Sequence, residues 1–260
     1  MTEFNAKLGK LVFSFEWRLT LLTGLLVPAL VLLGCWQLER GEEKLALAER
    51  HSQRMALPPL EMDDVMAALN DAASGALADR RVVFRGSAVA GDYLLLDNRL
   101  RDGRFGYEVV ALIDAADYRV PVNLGWLAAD PARRSRPTIN LPTQTLDWHG
   151  RIYQSPGAAY LLDEQAPLTQ LPTVIQAYEP TEASAQLEQW LNSPVAPFTV
   201  RLDPRHPAAY RADWRVVNQT PDKHTAYAVQ WFTMGLVLLL AFVLRSSNLS
   251  AVLRGRLCAQ

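Results

Sequence analysis

Cysteine is almost absent from this chain. Its two copies are Cys35, inside a long apolar run, and Cys258, near the C-terminus, so residues Glu39–His224 contain none. No disulfide can brace that middle segment, and its stability must come from an apolar core. This fits an oxidising compartment without requiring one. Common enzyme signatures are also missing. There is no Gly-x-Ser-x-Gly elbow, no Walker loop, no His-Glu-x-x-His and no Cys-x-x-Cys-His, so no motif supports a hydrolase, a nucleotide-dependent motor or a zinc protease. A basic nucleic-acid patch, an internal repeat and a low-complexity tract are lacking as well. Charge itself is missing from two runs of twenty residues, Leu19–Leu38 and Thr225–Leu244.

Those two runs set the plan of the molecule. Twenty residues at ~1.5 Å per residue cross the ~30 Å hydrocarbon core of a bilayer. The expected organisation is a head (1–18), a first transmembrane helix (19–38), an extracytoplasmic domain (39–224), a second transmembrane helix (225–244) and a tail (245–260). Head and tail hold six of the 26 basic residues and two of the 27 acidic ones, which leaves 20 basic and 25 acidic residues in the middle. Short segments rich in Lys and Arg favour the cytoplasm. Lys7, Lys10, Arg18, Arg245, Arg254 and Arg256 therefore place both termini there and the domain in the periplasm of a bacterial inner membrane. The alternative of a cleaved lipoprotein signal rests on Leu32-Leu33-Gly34-Cys35. Against it, the apolar run continues past the cysteine, Trp36 follows, and no small-x-small site is present.

Pro28 falls in mid-span, where a kink is expected. Glu39–Met55 keeps a helical pattern, so the first helix should project beyond the apolar run until Pro58-Pro59 stops it. Leu60–Leu69 reads as a short amphipathic helix with Asp63 and Asp64 in its first turn. The Ala-rich stretch to Ala78 reads as a loop or helix end. Arg81–Gly86, Tyr93–Asp97, Gly106–Ile113, Tyr118–Leu127, Arg151–Gln154, Val174–Tyr178 and Phe198–Leu202 read as strands, and Glu182–Leu191 as a helix. Pro131–Pro142 reads as a long loop. No β-α-β alternation is visible. The expected fold class is membrane α+β: two transmembrane helices flanking a mainly antiparallel β extracytoplasmic domain with short helices, either an antiparallel-sheet α+β or a barrel-like unit.

Candidate functional residues crowd the outer ends of the two spans. Trp36, Arg40 and Lys44 are spaced i, i+4, i+8 on one helix face; His224, Tyr227 and Trp231 are spaced i, i+3, i+7 on another. One group closes the first run and the other opens the second, so both belong to one membrane surface. An interfacial belt explains them without a ligand, because Trp and Tyr favour headgroup depth and Arg and Lys snorkel there. A site for a planar amphipathic ligand explains them too. Imidazole can bind iron, aromatic faces can stack on a macrocycle, and cations can pair with carboxylates. His51, His149 and His206 are isolated in sequence and read as surface or packing residues.

At these residues the chain resembles the surfeit locus protein family. Gly34, Trp36, Gln37, Arg40 and Lys44 are similar to its Gly-x-Trp-Gln-x-x-Arg-x-x-x-Lys pattern. Arg81, Gly86, Asp97, Asn98, Arg99, Gly103, Gly106 and Tyr107 follow in order, then Val122, Asn123, Gly125 and Trp126. His224, Tyr227, Ala228, Gln230 and Trp231 are similar to the start of the family's second span. Leu124 stands where the family often has arginine; if that arginine serves a partner contact or a carboxylate, the charge must come from elsewhere, and Arg99 or Arg119 are the candidates. The resemblance implies a non-enzymatic assembly factor that helps mature subunit I of haem–copper cytochrome c oxidase. It implies transient binding of haem a, with His224 as iron ligand and Arg40 and Lys44 near the propionates. The partners implied are subunit I, other assembly factors and the lipid bilayer, with no nucleic acid. The rival expectation is a haem-free scaffold for nascent oxidase subunits.

Overall fold

The computed structural model describes residues 3–8, 11–70, 77–132, 134–154, 165–214 and 221–250. The chain divides into two compact units. One comprises Met1–Arg50 with Val216–Gln260, the other His51–Arg215.

In the first unit, strands β1 (Glu3–Leu8) and β2 (Leu11–Glu16) pair antiparallel. Helix α1 (Trp17–Ala56) follows directly, and α4 (Pro221–Ser246) closes the unit. Both helices are long and apolar enough to cross a membrane. α1 runs well past its apolar stretch and stops just before Pro58, as the proline pair dictates. The hairpin lies where only a head was expected, although Phe4, Ala6 and Leu8 alternate with polar residues. It meets the end of α4 through the Val12 amide, which donates to Asn248 Oδ1 at 2.9 Å, and the Asn248 amide, which donates back to Val12 O at 3.1 Å. Arg254, Arg256 and Cys258 lie outside the described residues.

The second unit is built on a seven-stranded sheet that closes on itself. β3 (Leu60–Glu61) and α2 (Met62–Asn70) lead into β4 (Arg81–Arg101), β5 (Arg104–Ala115), β6 (Tyr118–Ala128) and β7 (Leu146–Tyr153). β8 (Thr173–Ile175), α3 (Pro180–Leu191) and β9 (Thr199–Leu202) complete it. The order β4-β5-β6-β9-β7 returns to β4, because β7 pairs with the first half of β4 and β5 with the second. Closure removes the exposed edges that an open sheet would present.

Most pairs are antiparallel, as expected. Three are parallel: β3/β4 across α2, β4/β8, and β6/β9. The expected absence of any β-α-β connection is therefore corrected at β3-α2-β4. The two strands expected at Arg81–Gly86 and Tyr93–Asp97 are one 21-residue strand. Gly91 and Asp92, which look like a turn, instead sit in a register shift between Ala88 and Tyr93 that bends β4 without ending it. β8 stops at Ile175, short of the expected Tyr178, and β7 begins at Leu146, earlier than expected. The described residues of Pro131–Pro142, all but Arg133, carry no helix or strand. Residues 71–76 of the Ala-rich stretch lie outside the described residues.

Two apolar clusters explain the near-continuous burial of β5. Val109, Ala111 and Ile113 join Phe84, Trp148, Phe198 and Leu202 in the larger core. Val110 and Leu112 join Leu187 of α3, with Leu94 and Leu96, in the smaller one. A strand covered on both faces reads as an apolar run rather than an alternation. α3 starts with Pro180 in its first turn and ends at Asn192 in the left-handed conformation, φ 50°.

Candidate functional site

α1 and α4 run antiparallel, and small residues let them approach. The Gly34 Cα faces the Phe232 ring, Gly41 faces the Cβ of His224 and the carbonyl of Pro221, and Gly235 faces the Cβ of Leu30. The covered positions include, on α1, Thr23, Val27, Leu30, Gly34, Gln37, Gly41, Lys44 and Ala48 and, on α4, His224, Ala228, Trp231, Gly235, Leu238 and Phe242, with Leu47, Phe232 and Val243 beside this line. Steps alternating between three and four residues are a 3.5-residue repeat, the pattern of a left-handed helix pair.

This seam divides the six expected site residues. His224, Trp231 and Lys44 lie along it, half-buried. Trp36 and Tyr227 lie off it and are 48% and 50% exposed. Arg40 lies off it too: its guanidinium sits 5.7 Å from the Trp36 ring centroid and pairs with Glu43 at 2.7 Å. Spacing on each helix grouped these residues correctly but could not say which face meets the other helix.

The seam instead gives His224 a partner that the site reading had omitted. Its Nδ1 lies 2.8 Å from Gln37 Oε1. A carboxamide oxygen only accepts, so Nδ1 carries a proton, and in the neutral ring the lone pair is then on Nε2. That Nε2 is buried and has no hydrogen-bond partner. The arrangement matches the second-shell bond that orients a ligating histidine. Gln37 was legible in principle, because it shares the Gly34–Gly41 line of α1 at helical spacing.

In the second unit, the residues carrying the family resemblance hold the barrel together. Asn123 Nδ2 donates to buried Glu108 at 2.9 Å, while its Oδ1 accepts the Gly125 amide at 3.1 Å. Gly125 has φ +112° and lies against the Arg211 backbone, so no side chain fits there. Trp126 Nε1 donates to Arg99 O at 2.7 Å. Asp102 and Gly103, φ 48° and 73°, make the tight β4–β5 turn. Leu124 is 1% exposed in the large core. Arg119, suggested above as a replacement charge, is committed to Asp92 at 2.5 Å and Asp114 at 3.0 Å. Arg99 reaches Gln176 O at 3.5 Å.

The SURF1 family model matches residues 24–236, from within the first apolar helix to within the second. The chain belongs to the SURF1 family. That is the surfeit locus family, known for cytochrome oxidase assembly rather than for catalysis. A SURF1-like protein of Dictyostelium discoideum is 31% identical over 106 residues; the aligned part spans 38% of this chain and 38% of the relative's length.

Proposed function

We propose that this protein is a non-catalytic assembly factor for haem–copper cytochrome c oxidase that binds haem a at His224 and presents it to subunit I. The observation that carries the proposal is the buried, unpartnered Nε2 of His224, whose ring is held through Nδ1 by Gln37. A neutral imidazole in this tautomer is ready to donate to iron. Haem a would supply the iron and a planar apolar ring with two carboxylates. Trp231, Tyr227 and Trp36 are the aromatic residues available to that ring, and Lys44 and Arg40 are the cations available to its propionates. Nε2 has no contact with solvent, so ligation requires a neighbouring side chain to move aside. The basic head and tail support a bacterial inner-membrane location, with both termini cytoplasmic and the barrel periplasmic.

The test is the absorption spectrum of the protein purified from cells that make haem a. A haem spectrum is expected, lost in His224→Ala and weakened about 10- to 100-fold in affinity in Gln37→Leu. Full haem content in His224→Ala would overturn the ligand assignment.

A second reading is a haem-free scaffold for nascent oxidase subunits and their assembly factors. It is favoured by the outward-facing Trp36 and Tyr227 and by the pairing of Arg40 with Glu43. Under it, subunit I co-purifies with haem-free protein, and His224→Ala leaves that co-purification unchanged.

A further inference from the structure

Within the second unit, a cleft of about 240 Å³ opens between the segment ending α1 and strands β4, β7 and β9. Arg81, Arg151 and Arg201 line it, together with Met55, Val82, Leu202 and Trp214. Arg151 is committed, since it pairs with Asp79 at 2.5 Å. The other two are not. Among the described residues the Arg81 side chain donates to the Leu57 carbonyl alone, at 2.9 Å, and its Nε is buried without a partner. Arg201 has a buried, unpartnered Nε and no carboxylate within ion-pair distance among the described residues. Its guanidinium lies 3.4 Å from the Tyr153 ring centroid and 4.9 Å from that of Trp214, whose Nε1 is tied to Leu202 O at 2.8 Å.

Burial is costly for a charge without a counter-ion. Burial lowers the pKa of Arg201 from its usual high value, and repulsion from Arg151 and Arg101 adds to this, partly opposed by Tyr153 and Glu108. The carboxylate in the cleft wall, Asp203, does not compensate, because its Oδ1 accepts the Arg205 amide at 2.9 Å in a local turn. Two forks without acids, that of Arg201 set on aromatic faces, match a planar oxyanion. Apart from His149 the remaining side chains of the wall are apolar, and the volume is below the ~300 Å³ at which drug-sized sites begin.

We propose that this cleft binds a small monocarboxylate with a short apolar body, its carboxylate on Arg201 and Arg81 and its body against Trp214. Carboxylate is favoured over phosphate because its apolar body can cover Met55, Val82, Leu202 and Trp214, whereas a phosphate ion has nothing to place there. The inference does not depend on haem binding at His224.

Benzoate and inorganic phosphate, titrated separately into the full-length protein in detergent at constant ionic strength and followed by calorimetry, test it. Benzoate is expected to bind and phosphate to bind more weakly. Arg201→Gln should weaken benzoate about ten-fold or more, the scale of a lost charged hydrogen-bond pair. A thermal melt confirms that the variant folds; should it not, Arg81→Gln carries the same expectation at a side chain whose one hydrogen bond among the described residues is to the Leu57 carbonyl. The proposal is overturned by no benzoate binding to the wild type, by tighter binding of phosphate, or by unchanged benzoate affinity in a folded variant.

Discussion

His206 shows what one side chain contributes to stability. It is 8% exposed and stacks on the buried Trp148, with ring centroids 4.7 Å apart and planes inclined by 20°. Its Nδ1 accepts the Ala208 amide at 3.1 Å, a role only the unprotonated nitrogen can fill. Burial pushes its pKa below the usual 6.5, with His149 adding to this and Asp147 and Asp203 opposing. A histidine depressed in the fold takes up protons more readily when unfolded. Its contribution is complete above pH ~6.5 and is lost as pH falls from there through the folded value. Thermal melts between pH 7.5 and pH 5 should therefore show a falling Tm. His206→Phe keeps an aromatic ring on Trp148 without the titrating nitrogen, so its Tm should fall less over the same range. An equal fall would assign the acid sensitivity to other groups. This packing was legible only as the general preference of an isolated histidine. Nothing in the sequence pairs His206 with Trp148, because the contact is made by the turn after β9 folding back over β7.

Elements were easier to read than their pairing. The two charge-free runs located α1 and α4, and Pro58-Pro59 marked the end of α1. The face by which the helices meet was hidden, since a helix apolar all round has no moment to reveal it. The signal that remained was small residues at seven-residue spacing: Gly34 and Gly41 on one helix, Ala228 and Gly235 on the other. The structure ranks these glycines. A Cβ on Gly34 would fall 2.5 Å from Phe232 Cε1, whereas one on Gly41 would sit 3.5 Å from the His224 Cβ. Gly34→Ala should therefore displace the Phe232 ring and weaken the helix pair, and Gly41→Ala should be close to neutral. Loss of helicity on titration with denaturing detergent measures this, and Phe232→Leu in the Gly34→Ala background should restore part of the loss. Equal effects of the two alanines would contradict the seam. In the barrel, punctuation misled at β4. Glycine and aspartate at 91 and 92 serve a bulge there, and only the second half-barrel, pairing with β5, reveals that both halves are one strand.

For the whole molecule, the open quantity is orientation, and the chain's scarcity of cysteine makes it measurable. Cys35 lies within the apolar stretch of α1, Cys258 lies in the tail, and the barrel unit has no thiol of its own. The proposed topology puts Cys258 in the cytoplasm and the barrel outside. A single reporter can be added at Arg85, whose side chain is 78% exposed and pairs with the 63% exposed Asp147 at 3.2 Å. Exposed pairs of this kind contribute at most about 1 kcal/mol, so Arg85→Cys should leave the fold intact. In spheroplasts of a bacterial host, a membrane-impermeant maleimide should label Arg85→Cys before lysis. The parent chain should be labelled only after permeabilisation, through Cys258, and Cys35 should resist labelling while lipid surrounds it. The reverse order would place the barrel in the cytoplasm and remove the basis for a site that meets oxidase subunits from the periplasmic side, because an even number of spans keeps both termini together and turns the whole middle segment with them.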